Sequence, residues 1–129
     1  MIKIYKDADA LQELLGNQIL TTHNGFTGES SVFKVYLKND DANKTYNNVN
    51  VRLEIHESLQ GWQSKVLKGS EEPSEEEWDS ASDSVQFDIN DTTTIYEISF
   101  RLACPAGETS EYYQDKVSIK VTATEINNQ

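Results

Sequence analysis

Cysteine and basic residues are scarce in this sequence. Cys104 is the only cysteine, so no disulfide can form within the chain, which weakly favours folding in a reducing compartment. The 11 Lys and Arg residues face 22 Asp and Glu residues, which gives a net charge of −11. A phosphate backbone and an anionic membrane surface would both be repelled by such a chain. We therefore expect no nucleic-acid partner and no membrane partner.

Long apolar runs are missing as well. No window approaches the roughly 18 apolar residues that a membrane-spanning helix needs. The opening MIKIYKDADALQELL is interrupted by charged residues, which argues against a signal peptide. We therefore expect a soluble protein made in the cytoplasm. A length of 129 residues suits one domain, and six Tyr, four Phe and two Trp support a folded core.

Motifs that carry chemistry are also missing. His23, His56 and Cys104 are far apart in sequence, and no CxxC, HxxxH, GxGxxG or GxSxG pattern occurs. Asp40, Asp41 and Asn43 offer oxygen ligands for calcium, but their spacing matches no EF-hand loop, and turn chemistry explains them. We predict that the chain is not an enzyme and that it binds no cofactor and no metal.

Alternation of apolar and polar residues is the strongest signal that is present. The stretch 31–56 contains two alternating arms joined by the Asn/Asp-rich loop 38–48, which predicts a hairpin. In its second arm Val49, Val51 and Leu53 alternate with polar residues, as in a strand with one buried and one wet face.

Further alternating segments follow along the chain, and they lie near 61–67, 85–89, 95–102 and 117–123. Together these patterns predict an all-β fold, a single antiparallel β-sandwich of about seven strands.

Two short helices are predicted beside the strands. Asp7 is placed to cap a helix over residues 8–15, where three leucines at i, i+3 and i+4 would form an apolar stripe: Leu11, Leu14 and Leu15. Farther along, Ser74 and Glu77 have the spacing of a capping box, which predicts one helical turn near 74–79 that carries Trp78 into the sandwich.

The order of these features resembles a known family. A strand ending in YLKNDD, then KVLKG, EEPSEEEW and a strand ending in ACPAGE are similar to the immunoglobulin-like structural proteins of tailed bacteriophages. The resemblance covers about residues 23–125. It implies an immunoglobulin-like domain over 23–129, preceded by a lead-in over 1–22 that consists of a strand and the short helix.

The resemblance also implies a function. It points to a non-enzymatic virion protein, assembled in the host cytoplasm, that decorates or cements the capsid head through the major capsid protein. A neck, tail or fibre component bound to another virion protein is the alternative, and self-association is left open. The candidate partner contacts are the apolar residues of the lead-in or the loop residues from Asn39 to Tyr46. They are Ile2, Ile4, Leu11, Leu14, Leu15, Asn39, Asp40, Asp41 and Tyr46.

Aromatic residues leave a second function open. Trp62, Trp78, Tyr46, Tyr112 and Tyr113 would suit stacking on sugar rings if they were exposed, as in a carbohydrate-binding module that recognises a cell-surface glycan. The opposing interpretation is that both tryptophans fill the space between the sheets.

Overall fold

A computed structural model describes residues 1–14, 29–56, 61–69, 72–104 and 117–128. The described residues form seven strands and one helix. In chain order these are β1 (Ile2–Tyr5), β2 (Glu29–Asn39), β3 (Lys44–Ile55), β4 (Gln63–Lys68), α1 (Glu75–Ser80), β5 (Ser84–Ile89), β6 (Tyr96–Cys104) and β7 (Val117–Asn127). None of the described helices is long and apolar enough to cross a membrane.

The strands form two sheets that pack face to face. One sheet has the order β1-β2-β6-β4, the other has the order β5-β3-β7, and every pairing is antiparallel. The predicted all-β antiparallel sandwich of about seven strands is confirmed. The proposed domain boundary after residue 22 lies outside the described residues.

The predicted hairpin over 31–56 is wrong. β2 and β3 belong to different sheets, so the connection between them crosses the sandwich instead of joining two paired strands. The alternation of apolar residues shows that each arm has a buried face, but it carries no information about which strand is the partner. From β3 onward, each strand lies in the opposite sheet from the strand before it.

The predicted loop 38–48 is also shorter than expected. It comprises only residues 40–43, because β3 already begins at Lys44. The register of β3 shifts between Tyr46 and Val49, and Asn48 there has a φ of 54°. The bulge places both Tyr46 and Val49 on the inner face despite their odd spacing. This break in the alternation hid the first part of the strand.

The core lies between the two sheets. Its largest fully buried side chain is Phe100 of β6, whose ring stacks on Phe33 of β2 at a centroid distance of 5.2 Å. Trp62 and Trp78 are also buried, at 8% and 3% exposure. Trp62 belongs to the core cluster, which confirms for it the interpretation that the tryptophans fill the space between the sheets, whereas Trp78 is buried on the helical turn outside that cluster.

The helical turn predicted near 74–79 is confirmed as α1. Ser74 is its N-cap: its Oγ accepts a hydrogen bond from the Glu77 backbone N–H, and the Glu77 carboxylate accepts one from the Ser74 backbone N–H. These bonds satisfy donors that the first turn of a helix leaves unpaired. Trp78 is the buried residue of this turn.

The helix predicted over 8–15 is wrong for the residues through 14, and residue 15 lies outside the described part. The Asp7 carboxylate does accept backbone hydrogen bonds, as an N-cap would. Its donors are the N–H groups of Leu11 and Gln12, which close a loop and not the first turn of a helix. Ala10 in that loop has a φ of 56°. A helix of two turns is marginal without packing along its apolar side. Leu11, which that side requires, is 80% exposed.

Candidate functional site

A groove opens along one side of the sandwich, between the edge strands β1 and β7. We call it the β1–β7 groove, and its volume is about 440 Å³. It contains four of the residues that the sequence singled out, Ile2, Ile4, Leu14 and Tyr46. The complete lining is Met1, Ile2, Lys3, Ile4, Glu13, Leu14, Tyr46, Val121, Ala123 and Glu125.

The groove forms where β7 extends beyond the closed core. Along the inner face of β7, burial falls from the start of the strand to its end. Val117 and Ile119 at the start of β7 are buried, Val121 is half-buried, and Ala123 and Glu125 are exposed. Successive side chains of a strand point to opposite faces, so these five residues share the inner face of the sheet. The last three of them line the groove, and Val121 also packs against the core.

One end of the groove is fixed by Asp40. Its carboxylate accepts a hydrogen bond of 2.7 Å from the Met1 ammonium group and lies 3.2 Å from the Lys3 Nζ. The hydrogen bond from the chain's amino group, followed by that from Lys3, lowers the pKa of Asp40. The Asp40 hydrogen bond in turn raises the pKa of Lys3. Asp40 therefore ties β1 to the loop that follows β2.

The lining of the groove also includes a buried tyrosine, Tyr46 of β3. Tyr46 is 5% exposed, and its hydroxyl donates to Glu125 Oε1 at 3.1 Å. Lys44 Nζ lies 3.1 Å from the second oxygen of that carboxylate. Burial, followed by the Glu125 hydrogen bond, raises the pKa of Tyr46 to about 12, whereas hydrogen bonds from Lys44 and Tyr46 lower the pKa of Glu125. Neither group is poised for proton transfer near neutral pH.

The loop residues Asn39 and Asp41 serve the turn between β2 and β3. The Asn39 side chain is fully buried, and its amide donates to the carbonyls of Asp41 and Lys44 while its oxygen accepts from the Asp41 N–H. Asp41 accepts from the Asn43 N–H. Asn39 therefore offers no side-chain surface to a partner. Among the described residues, no group of three or more His, Cys, Asp or Glu side chains could hold a metal ion.

The predicted partner contacts separate into several environments. Ile4 is 6% exposed and belongs to this chain's own core, so it cannot also anchor a partner while β1 stays paired. Ile2 and Leu14 are half-buried and face the groove. Leu11 is exposed but does not line the groove, and Leu15 lies outside the described residues.

The sequence reasoning missed the β7 side of the groove. The predicted strand over 117–123 includes Val121 and Ala123 without assigning them to a site, and it stops before Glu125. Their signal is a gradual loss of bulk along one face, from Val117 and Ile119 to Ala123. Such a taper indicates that the opposite sheet no longer covers that face.

The aromatic residues offer no tryptophan platform. Trp62 and Trp78 are buried, and Tyr46 directs its hydroxyl toward Glu125 from within the core. Tyr112 and Tyr113 lie outside the described residues. The buried tryptophans therefore present no exposed indole face on which a sugar ring could stack.

Comparison of the chain with protein-family models, with curated proteins and with solved structures finds no match.

Proposed function

We propose that this chain is a non-enzymatic structural protein of a tailed-phage virion that decorates or cements the capsid head. The observation that carries the proposal is the order of its strands. In a constant-type immunoglobulin sandwich, strands A, B, E and D form one sheet and strands C, F and G form the other. With β5 set aside, the order β1-β2-β6-β4 corresponds to A-B-E-D, and the paired strands β3 and β7 correspond to C and F.

β5 and the position of strand G are the two differences from that arrangement. β5 lies on the outer side of β3, and no described strand pairs with the outer side of β7, where G would be. The shared order supports the immunoglobulin-like part of the proposal. Within the described residues the outer edge of β7 therefore offers a surface that a partner can use.

Charge supports a protein partner with a basic docking surface. Five basic side chains of the described residues are already paired with acids on this chain, in the pairs Lys3–Asp40, Lys34–Glu97, Lys44–Glu125, Lys120–Glu54 and Arg101–Glu75. The net charge of −11 is therefore carried by acids in excess of these pairs. Complementary charge speeds association and selects partners. The major capsid protein, or another virion protein with a basic surface, is the partner that we propose.

The test is a density-gradient separation of a lysate from cells that produce the phage encoding this chain, with each fraction probed for the protein. We expect it to band with DNA-filled particles. Its copy number relative to the major capsid protein separates the head from the alternative neck, tail or fibre location, because a head lattice repeats its subunit far more often than a tail ring does. Recovery only in the soluble fractions would refute the virion assignment.

A further inference from the structure

The outer edge of β7 is open. Within the part of the chain that the structure describes, β7 pairs with β3 on one side and with no strand on the other. An unpaired strand edge presents a row of N–H and C=O groups that can bond to another strand. The edge is long, because β7 spans 11 residues.

The outer edge of β1, on the other side of the groove, is covered. The Leu14 N–H donates to the Ile4 carbonyl at 2.8 Å, and the Lys6 N–H donates to the Gln12 carbonyl at 2.8 Å. Tyr5 and Glu13 form an antiparallel bridge between these two bonds. The chain thus protects the edge of β1 with its own residues 12–14, and of these two edges only that of β7 is left unpaired by the described residues.

Apolar residues lie on both walls of the groove beside that edge, among charged ones. Ile2 and Leu14 are half-buried on one wall, and Val121 and Ala123 form the other. A strand hydrogen-bonded to the outer edge of β7 would direct every second side chain into this space. The main-chain bonds would give affinity, and the apolar pocket would select the residues that alternate inward.

We infer that the β1–β7 groove binds an extended strand of a partner protein, which adds to the free edge of β7 and inserts alternate apolar side chains between the two sheets. The inference rests on the proposed function in one respect: the strand would belong to the assembly on which this protein docks. It deepens that function by naming the surface and the mode of binding.

Charge decides between a partner strand and a second copy of this chain. Lys3 of the groove is bonded to Asp40 and Glu125 is bonded to Lys44 and Tyr46, so among the described lining residues Glu13 is the charge that no ion pair offsets. Two copies would each bring a net charge of −11 to the same edge and would repel each other. A strand whose outward residues are Lys or Arg complements both the groove and the whole molecule. We therefore assign the groove to a basic, alternating segment.

The probe is a blocked synthetic peptide of alternating valine and lysine, about eight residues long, which is within the usual length of a strand. A second peptide has the same composition with its valines grouped in one block. A third alternates valine and glutamate. Each is titrated into the full-length protein while the backbone amide signals are followed by NMR. We expect the alternating basic peptide to shift the β7 amides and to bind at least about tenfold more tightly than either control, because only it combines register with charge.

A matched pair of variants tests the site. Ala123→Phe fills the groove with an aromatic ring, whereas Thr122→Phe places the same ring one residue away on the opposite face of β7. Both positions are exposed, so both variants should keep the fold. We expect Ala123→Phe to weaken peptide binding by about tenfold or more and Thr122→Phe to change it by less than about twofold.

Equal binding of the alternating and block peptides, or equal effects of the two variants, would show a general attraction to an acidic surface and would overturn the inference. No saturable binding would overturn it too. The virion assignment fails separately, when the wild-type protein does not band with particles. If it does band and both variants are incorporated equally, the virion assignment stands and the groove is not its docking site.

Discussion

The stability of this protein should fall at alkaline pH because of Tyr46. Its phenol is buried, and its hydroxyl donates to the Glu125 carboxylate. Ionisation would therefore place a negative charge on a buried ring next to the negative charge of Glu125. The pKa of Tyr46 is accordingly raised to about 12, above the value of about 10 for an unfolded chain. A group whose pKa is higher in the folded state contributes stability below the unfolded pKa and loses it as the pH rises toward the folded one.

The size of the loss follows from the two pKa values. At about pH 11 the unfolded state has mostly ionised this tyrosine while the folded state still holds its proton, which favours unfolding by about tenfold, or about 1.4 kcal/mol. Above about pH 12 the loss reaches its limit of about 2.7 kcal/mol. At about pH 9 it is negligible.

Urea unfolding of the wild type and of Tyr46→Phe at about pH 9 and about pH 11 measures this loss. Phenylalanine keeps the ring and cannot ionise, so between the two pH values the variant should lose about 1.4 kcal/mol less than the wild type. Tyr5→Phe, a substitution on β1 that leaves Tyr46 in place, is the control and should retain the wild-type loss. If the wild type and Tyr46→Phe lose the same stability, the buried hydroxyl is not the cause and the reasoning is refuted.

Three further substitutions test the architecture through the free energy of unfolding. Phe100→Ala should lower the free energy of unfolding by about 3–5 kcal/mol because the ring is fully buried. Phe33→Ala, at the half-buried stacking partner, should lower it by less, and equal losses would contradict the assigned core. Asn48→Val should cost about 1–2 kcal/mol because a β-branched residue fits positive φ poorly, whereas Asn48→Gly should be nearly neutral; a tolerated valine would argue against the bulge. Ser74→Ala should cost about 1 kcal/mol and shift the fluorescence of Trp78, and an unchanged stability would mean that the capping box does not hold this turn.

Local patterns predicted the strands and the capped turn because those features depend on neighbouring residues. Val49, Val51 and Leu53 alternate cleanly, and their strand was found. Ser74 and Glu77 exchange the two hydrogen bonds of a capping box, and the helical turn that their spacing predicts is present. Such features are encoded within a few residues, so a single sequence is sufficient to recognise them.

The failures concern relations between distant residues. The partners of β3 are β5 and β7, the second of which lies more than 60 positions farther along the chain, and nothing in the segment 31–56 indicates either choice. The leucine spacing at 11–14 is compatible with a helix, but the Asp7 carboxylate captures the backbone of a loop instead. The sequence predicted only four residues of the groove, Ile2, Ile4, Leu14 and Tyr46, because another part of its lining comes from β7 at the far end of the sequence.

The position of β6 also has a consequence for how the protein folds during synthesis. β2 and β4 both pair with β6 and not with each other, so before residue 104 leaves the ribosome the four-stranded sheet can contain only the pair β1–β2. β7, which emerges later still, is the only strand that closes the remaining side of β3. Because nearly every pairing waits for a distant segment, the loop-closure entropy is lost before contacts compensate for it, and folding on a timescale of roughly milliseconds to seconds is expected. The nascent chain therefore keeps the apolar residues of β2, β3 and β4 exposed until β6, and after it β7, has emerged.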